Sequence, residues 1–240
     1  MTKTFLTAEW RKLIMAQYVV SPQTLFPFLP RGVELDLFEG RCYVSLVGFL
    51  FDRVRVRGIA IPFHTKFEEI NLRFYVRRIE ADGSRRRGVV FIREFVPRFA
   101  IAYVAKRFYD EPYLTLPTRH HIASSNQSLA VDYEWKHGDR WHRLNVVTSS
   151  SAQPIVAGSE EEFLTEHYWG YTKRSDGSTS EYEVRHPRWQ TYAARQAEVK
   201  ADFGTLYGDG FASLTETQPI SVLLAEGSAV SVQDGRRLTL

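Results

Sequence analysis

Residues 67–78, FEEINLRFYVRR, contain the clearest strand pattern in this 240-residue sequence. Apolar residues recur there at every second position, and polar residues occupy most of the positions between them. Because successive side chains of a β-strand point to opposite faces, the stretch predicts a strand with one apolar and one largely polar face. The apolar face contains Ile70, Leu72, Phe74 and Val76, and the other contains Glu69, Asn71, Arg73, Tyr75 and Arg77.

Segments with strand patterns recur at close spacing on both sides of this stretch. They are residues 13–20, 43–51, 88–96, 113–123, 128–137, 141–148, 168–173 and 180–185, and residues 220–226 and 229–233 predict a hairpin around Gly227 and Ser228. Short helices are predicted after Ser21, from Pro97 to about residue 109 and after Ser159, and residues 193–207 show a weak helical periodicity. We therefore expect one domain, residues 1–240, of the α+β class: a mainly antiparallel, conical or barrel-like sheet with a few short flanking helices.

Composition and charge exclude several classes of protein. Hydrophobic residues make up 44% and charged residues 25% of the chain, which is typical of a globular protein and not of a disordered one. The 31 Lys and Arg residues against 28 Asp and Glu residues leave a net charge of +3, which provides little electrostatic attraction to nucleic acid. No apolar run is long enough for a membrane helix, and residues 1–10 lack the apolar core of a signal peptide. We therefore expect a cytoplasmic protein that binds neither nucleic acid nor membranes.

The sequence contains no pattern that predicts a metal or a cofactor. His120 and His121 are adjacent, so on a strand they point to opposite faces and cannot easily share an ion. No His-Glu-x-x-His motif occurs, and Gly204, Gly208 and Gly210 are too widely spaced for a phosphate-binding loop. We expect no metal site and no cofactor.

The polar face of residues 67–78 contains the first set of candidate site residues. In a closed sheet, the row of Glu69, Asn71 and Arg73 points either to solvent or into the interior. In the first case it is an ordinary solvated strand face. In the second case the carboxylate and the guanidinium would position a small carboxylate or carbonyl compound in a polar-lined cavity.

Lys106 and its neighbour Arg107 are the second set of candidates. A neighbouring cation in an apolar setting lowers the pKa of a lysine and prepares it for Schiff-base chemistry. A lysine opposite the apolar stripe of a helix is otherwise an ordinary solvated residue.

Several stretches, in the same order along the chain, resemble the YqjF-like family of uncharacterised bacterial proteins. They are YVVSPQTLFPFLPRGVELD at 18–36, FEEINLRFYV at 67–76, AKRFYDEPY at 105–113, FLTEHYWGYT at 163–172, YEVRHPRW at 182–189 and PISVLLAEGSAVSV at 219–232. The fold of this family is similar to that of acetoacetate decarboxylase. The resemblance therefore implies a conical β structure with flanking helices around an internal cavity.

The more distant likeness to acetoacetate decarboxylase implies roles for particular residues. Lys106 and Arg107 would match that family's pair of lysines, the first of which forms the Schiff base. Glu69 would match a glutamate of the cavity, and Arg11 would match its arginine. Residues 101–105 replace the glycine and proline that precede the lysines in the decarboxylase motif. The resemblance thus implies the fold more directly than the activity.

Three functions are compatible with these features. The first is binding of a small carbonyl or carboxylate ligand by Arg11, Glu69, Asn71, Arg73 and Arg107 in a β-cone. The second is a decarboxylase-like enzyme in which Lys106 attacks a β-keto acid and Glu69 orients the substrate or moves a proton. The third is a non-enzymatic scaffold that forms homo-oligomers through its aromatic surface. We prefer the first.

Overall fold

The computed structural model describes residues 3–97 and 112–238, and strands dominate them. The strands are β1 (Thr4–Val19), β2 (Glu34–Leu35), β3 (Tyr43–Val56), β4 (Phe67–Ile79), β5 (Arg85–Val96), β6 (Tyr113–Thr115), β7 (Thr118–Ser124), β8 (Ser128–His137), β9 (Arg140–Pro154), β10 (Trp169–Lys173), β11 (Thr179–Arg185), β12 (Gln190–Lys200), β13 (Ser221–Gln233) and β14 (Arg236–Arg237). The helices are α1 (Pro22–Leu25), α2 (Glu160–Thr165) and α3 (Phe203–Tyr207), with 3₁₀ turns at Phe26–Phe28 and Asp209–Thr215. The predicted α+β class with a mainly antiparallel sheet is confirmed.

Most predicted strands are present, and several are longer than their apolar cores suggested. β1 extends nine residues before residue 13, and β3 extends five residues after residue 51. The predicted strand at 113–123 is divided into β6 and β7. Ser159 caps α2 as expected, because its Oγ accepts a hydrogen bond from the backbone N–H of Glu162 at 3.2 Å. The helix predicted from Pro97 falls on residues 98–111, which lie outside the described residues.

Two segments near the C-terminus differ from their local patterns. The segment with weak helical periodicity, residues 193–207, contains a helix at Phe203–Tyr207, but its first part belongs to β12, because Gln190–Lys200 pairs with β9 along most of its length. The predicted hairpin around Gly227 is instead the middle of the continuous strand β13, which pairs with β1 from Gln17↔Ser221 to Thr4↔Gln233. A neighbouring strand along the whole segment thus outweighs the local turn signal.

The sheet closes on itself. The strand order β11-β10-β5-β4-β3-β1-β13 continues through a second pairing between β11 and β13, so these strands form a ring in the described part of the chain. The closing contact is short and pairs Val184 with Val232 and Arg185 with Ser231. From β13 the sheet also continues outwards as β12-β9-β8-β7.

Each face of the ring strands belongs to a different hydrophobic cluster. On β1, Leu13 and Met15 belong to one cluster, whereas Ile14 and Ala16 belong to the other. The first cluster consists mainly of residues of the ring strands and of α2, so it lies inside the ring. The second cluster adds residues of β8, β9 and α3, so it lies between the outside of the ring and the outer sheet. β4 is therefore covered on both faces, and its polar row points into the ring.

Among the described residues, no helix has both the length and the apolarity that crossing a membrane requires.

Candidate functional site

The interior of the ring contains a cavity of about 140 Å³. A cavity of about 150 Å³ is large enough to bind benzene, so this one has room for a ligand of about six non-hydrogen atoms. Its apolar wall is largely aromatic and includes Trp10, Phe49, Phe51, Phe67, Phe91 and Trp169. Its polar side chains are Glu69, Asn71, Arg73, Glu94, Tyr113, His64 and His167. An apolar cavity with a few convergent polar groups is typical of a small-molecule site.

The row predicted from period two on β4 lies in this cavity and not in solvent. Glu69 is 3% exposed and Asn71 is 1% exposed. Asn71 Nδ2 donates a hydrogen bond to Glu69 Oε1 at 3.0 Å, and the Tyr113 hydroxyl donates to Glu69 Oε2 at 3.0 Å. These bonds hold the carboxylate in one orientation. The part that Glu69 and Asn71 take in binding a ligand stays a prediction.

Arg73 is the cation of the row. One terminal nitrogen of its guanidinium, Nη2, donates to the backbone oxygen of Leu164 at 3.3 Å, and the guanidinium carbon lies 5.7 Å from the centre of the Tyr75 ring. Its Nε is buried and has no hydrogen-bond partner among the residues that the structure describes. Since a buried donor without a partner is costly, this N–H is available to an anion in the cavity.

Glu94 is a second buried carboxyl group in the lining that the sequence analysis did not identify. It is 1% exposed and lies on β5 directly opposite Asn71. The sequence did contain a signal for Glu94, since this glutamate lies within the mainly apolar run 88–96. A glutamate in such a run is seldom buried without a reason. Two carboxyl groups, one amide and one guanidinium therefore share one wall of the cavity.

The sequence analysis also missed His167, whose side chain is only 1% exposed. It follows α2 and joins the lining, while its Nε2 lies 3.1 Å from Oδ2 of Asp36. The same carboxylate oxygen accepts a hydrogen bond from Arg87 Nε at 2.7 Å. Burial by itself would raise the pKa of Asp36, but the hydrogen bonds from His167 and Arg87 outweigh it and bring this pKa down to about 2.

His167 is neutral at physiological pH. Burial, together with the positive charges of Arg87 and Arg73, lowers its pKa to about 4, against the opposing effect of the hydrogen bond to Asp36. The contact between His167 and Asp36 is therefore a hydrogen bond from a neutral imidazole and not an ion pair. With Nε2 as the donor, Nδ1 carries the free lone pair.

The buried His167 makes the stability of the protein dependent on pH. The unfolded chain binds a proton near pH 6.5, whereas the native ring does so only near pH 4. The contribution of the neutral ring is thus complete above pH 6.5 and is lost as the pH falls towards 4. This amounts to about 3 kcal/mol. Urea unfolding at pH 7.5 and at pH 4.5 gives the free energy of unfolding that each protein loses between the two pH values. This loss should be about 2–3 kcal/mol smaller in His167→Gln than in the wild type.

The exposed His121 on β7 is the matched control for this measurement. His121→Gln should follow the wild type at both pH values. The contribution of Asp36 is lost only below its unfolded pKa of 3.8, outside the measured range. The same pH dependence in His167→Gln and in the wild type would contradict the assignment of a neutral buried imidazole.

Of the other predicted site residues, the structure describes Arg11. Arg11 is absent from the lining formed by the described residues; its guanidinium donates to Glu9 Oε2 at 2.8 Å and lies 3.9 Å from Glu226 Oε1. The register with β3 shifts between Arg11 and Ile14, and Lys12 has a φ of 55°. This irregularity directs Arg11 away from the cavity. Lys106 and Arg107 lie outside the described residues.

No group of three or more metal-ligating side chains was found within residues 3–97 and 112–238.

Comparison with known proteins identifies relatives in sequence and in fold. The profile of the DUF2071 family, described as an uncharacterized conserved protein, matches residues 7–229. The uncharacterized protein YqjF of Bacillus subtilis (strain 168) is 24% identical over 215 residues, which cover 88% of this chain and 84% of YqjF. The resemblance to the YqjF-like family is thereby confirmed.

Solved structures with a similar fold have little sequence in common with this chain. Acetoacetate decarboxylase from Legionella pneumophila is 13% identical, with a TM-score of 0.66 over 99% of this chain and 88% of that one. The enduracididine biosynthesis enzyme MppR, complexed with pyruvate, is 14% identical, with a TM-score of 0.66 over 100% of this chain and 92% of that one. An acetoacetate decarboxylase-like enzyme from Sphingomonas wittichii RW1 is 12% identical, with a TM-score of 0.66 over 98% of this chain and 94% of that one. The acetoacetate decarboxylase-like fold is therefore confirmed.

Proposed function

This chain belongs to the DUF2071 family of uncharacterized conserved proteins, and on that premise we propose that it binds a small organic carboxylate or carbonyl compound inside its strand ring. The observation that supports this most directly is the position of Arg73. Its guanidinium lines a mainly apolar cavity, and its buried Nε has no hydrogen-bond partner among the described residues. A carboxylate would satisfy that donor.

The chemistry of the wall indicates how such a ligand would be held. A guanidinium presents a planar set of N–H donors that matches the two oxygens of a carboxylate. Asn71 donates one N–H to Glu69 and retains a second amide hydrogen for a carbonyl oxygen. The aromatic wall would cover the apolar part of the ligand and exclude water, which strengthens both polar contacts.

The similar fold of MppR, which is complexed with pyruvate, supports this ligand class. Pyruvate has six non-hydrogen atoms, about the number that a cavity of this size accommodates. It therefore serves as the probe.

The test measures binding of pyruvate by calorimetry and by saturation-transfer NMR of its methyl group. We expect saturable binding to the wild type and binding about ten- to a hundredfold weaker to Arg73→Gln, because the hydrogen bonds to a charged group are lost. Pyruvamide, which lacks the negative charge, should bind weakly to both proteins.

Arg185→Gln is the matched control, since Arg185 pairs with Glu183 on the surface and its side chain is 57% exposed. This variant should bind pyruvate as the wild type does. Thermal unfolding of each variant checks that it is folded. No saturable binding of pyruvate to the wild type, or equal binding by Arg73→Gln, would contradict the proposal.

The Schiff-base and scaffold alternatives stay predictions from the sequence. Sodium borohydride added to the same pyruvate samples reduces an imine and leaves a stable mass increase on the lysine that formed it. A modified Lys106 would favour the decarboxylase-like enzyme, whereas reversible binding without a modified lysine favours the proposed function.

A further inference from the structure

The geometry points to a narrower ligand class: a 2-hydroxy carboxylate, whose carboxylate pairs with Arg73 and whose hydroxyl donates a hydrogen bond to Nδ1 of His167. This inference rests on the proposed function and deepens it. It makes His167 the residue that determines specificity and Asp36 the residue that positions it.

Asp36 determines which nitrogen of His167 carries the proton. Its carboxylate accepts hydrogen bonds from Nε2 of His167 and from Nε of Arg87, and its pKa is about 2, so it is ionised and can only accept. The proton of the neutral imidazole is therefore on Nε2. Nδ1 is left as a hydrogen-bond acceptor that stays unprotonated well below neutral pH.

Nδ1 of His167 is buried and has no hydrogen-bond partner among the described residues. Asp36 is not part of the cavity lining, whereas His167 is. Because Asp36 occupies Nε2, Nδ1 is the ring nitrogen of this lining residue that is left for a ligand. A buried acceptor without a donor is costly, and a hydroxyl in the cavity would satisfy it.

Arg73 and His167 both line the cavity, and both lie beside Tyr75. The Arg73 guanidinium and the His167 ring both pack against Tyr75, with distances to the Tyr75 ring centre of 5.7 Å and 4.8 Å. Arg73 also bonds to the backbone oxygen of Leu164, three residues before His167. The size of the cavity limits a ligand to about six non-hydrogen atoms. In a hydroxy acid of that size the hydroxyl is close to the carboxylate, and in a 2-hydroxy acid the two are on adjacent carbon atoms.

The acceptor nitrogen Nδ1 of His167 also discriminates against the corresponding 2-oxo acid. A carbonyl oxygen placed at Nδ1 brings two acceptors together and leaves both without a donor. Sites built to bind a hydroxyl reject analogues that lack it, because their buried polar groups stay unsatisfied. Pyruvate therefore binds to Arg73 but leaves Nδ1 of His167 unsatisfied.

The test compares the affinities of both lactate enantiomers with that of pyruvate, by calorimetry on the full chain. We expect one enantiomer to bind at least about tenfold more tightly than pyruvate, which is the effect of one satisfied buried acceptor. In His167→Leu, the affinities for lactate and pyruvate should differ by less than about twofold, while pyruvate still depends on Arg73.

Two further measurements test the tautomer. In ¹⁵N-labelled wild-type protein, the His167 resonances should show the proton on Nε2, and the Nδ1 resonance should shift on adding lactate but not pyruvate. In Asp36→Asn, the amide oxygen should keep its place, because Arg87 and His167 donate to the same atom, so the proton should stay on Nε2 and lactate should stay preferred. In Asp36→Leu, Nε2 loses its acceptor and the ring is no longer held in one tautomer, so the preference for lactate over pyruvate should be lost. A merely structural role of Asp36 would weaken the binding of both ligands alike. The NMR measurement needs no variant and decides the question even where His167→Leu fails to fold.

The failures of the two proposals are distinguishable. If pyruvate and both lactates bind equally and the Nδ1 resonance does not respond, the hydroxyl specificity is wrong but the carboxylate site stands. If none of the three binds, both proposals are wrong.

Discussion

Gly227→Ala is expected to destabilise the protein by more than about 4 kcal/mol, or to prevent it from folding. A Cβ at position 227 would lie 2.0 Å from the backbone oxygen of Trp10 and 2.7 Å from its carbonyl carbon. Gly227 also has a φ of +79°, which an L side chain adopts only with strain. The steric overlap between this Cβ and Trp10 would force the long ring strands β1 and β13 apart. Trp10 also lines the cavity, so the change would reach the candidate site. Urea unfolding at pH 7.5 measures the loss.

Gly177→Ala separates the strain of a positive φ from the steric overlap with Trp10. Gly177 has the same φ of +79°, but a Cβ there would meet nothing within 4 Å. Its substitution should cost only about 1–2 kcal/mol, the strain of a left-handed residue. Equal losses for the two variants would show that the close approach of Gly227 to Trp10 contributes nothing.

Glu181→Gln should destabilise the protein by about 3–5 kcal/mol. Glu181 is fully buried on β11, and three arginines converge on its carboxylate: Arg78 at 3.1 Å, Arg86 at 3.2 Å and Arg236 at 2.6 Å. With an uncharged amide at this position, Arg78 and Arg86 would keep only Glu80, which lies 3.3 Å from each of them, and Arg236 would lose the counter-charge it has among the described residues. Because the side chains of these arginines are 19%, 28% and 59% exposed, partial hydration should keep the loss near the lower value.

Glu183→Gln, two residues further along the same strand, is the control for this prediction. Glu183 pairs with Arg185 at 2.7 Å, and the two side chains are 27% and 57% exposed. Such a surface pair contributes less than about 1 kcal/mol. Chemical denaturation of both variants at low ionic strength gives the comparison, and similar losses would contradict the importance of burial at Glu181.

The cavity and the buried charge cluster are at different parts of the ring. Arg73 and His167 line the cavity, and each has a buried polar atom without a hydrogen-bond partner among the described residues, whereas the three arginines at Glu181 are paired with carboxylates. A buried polar group that has a partner stabilises the fold, and one that lines a cavity and lacks a partner can bind a ligand there. This difference separates the candidate site from the structural ion pairs.

Local patterns in the sequence predicted most strands and the shared face of the row on β4. Alternation along a strand is a property of the backbone, so Glu69, Asn71 and Arg73 had to point the same way. Local patterns did not predict the course of β13, because a glycine with positive φ occurs both in turns and where two strands approach closely. The presence of β1 beside Gly227 shows that Gly227 is at a close approach of two strands and not in a turn.

Which side of β4 the row faces was decided by the tertiary structure. The alternation of side chains along a strand is the same whether the polar face is solvated or enclosed. The polar face of β4 is enclosed because the pairing of β11 with β13 closes the ring. The pairing of His167 with Asp36 likewise joins residues 131 positions apart, which no local pattern contains. By itself the sequence determined the strands, the family and the polar row, because these depend on neighbouring residues. The cavity and its histidine depend on ring closure, which brings distant residues together.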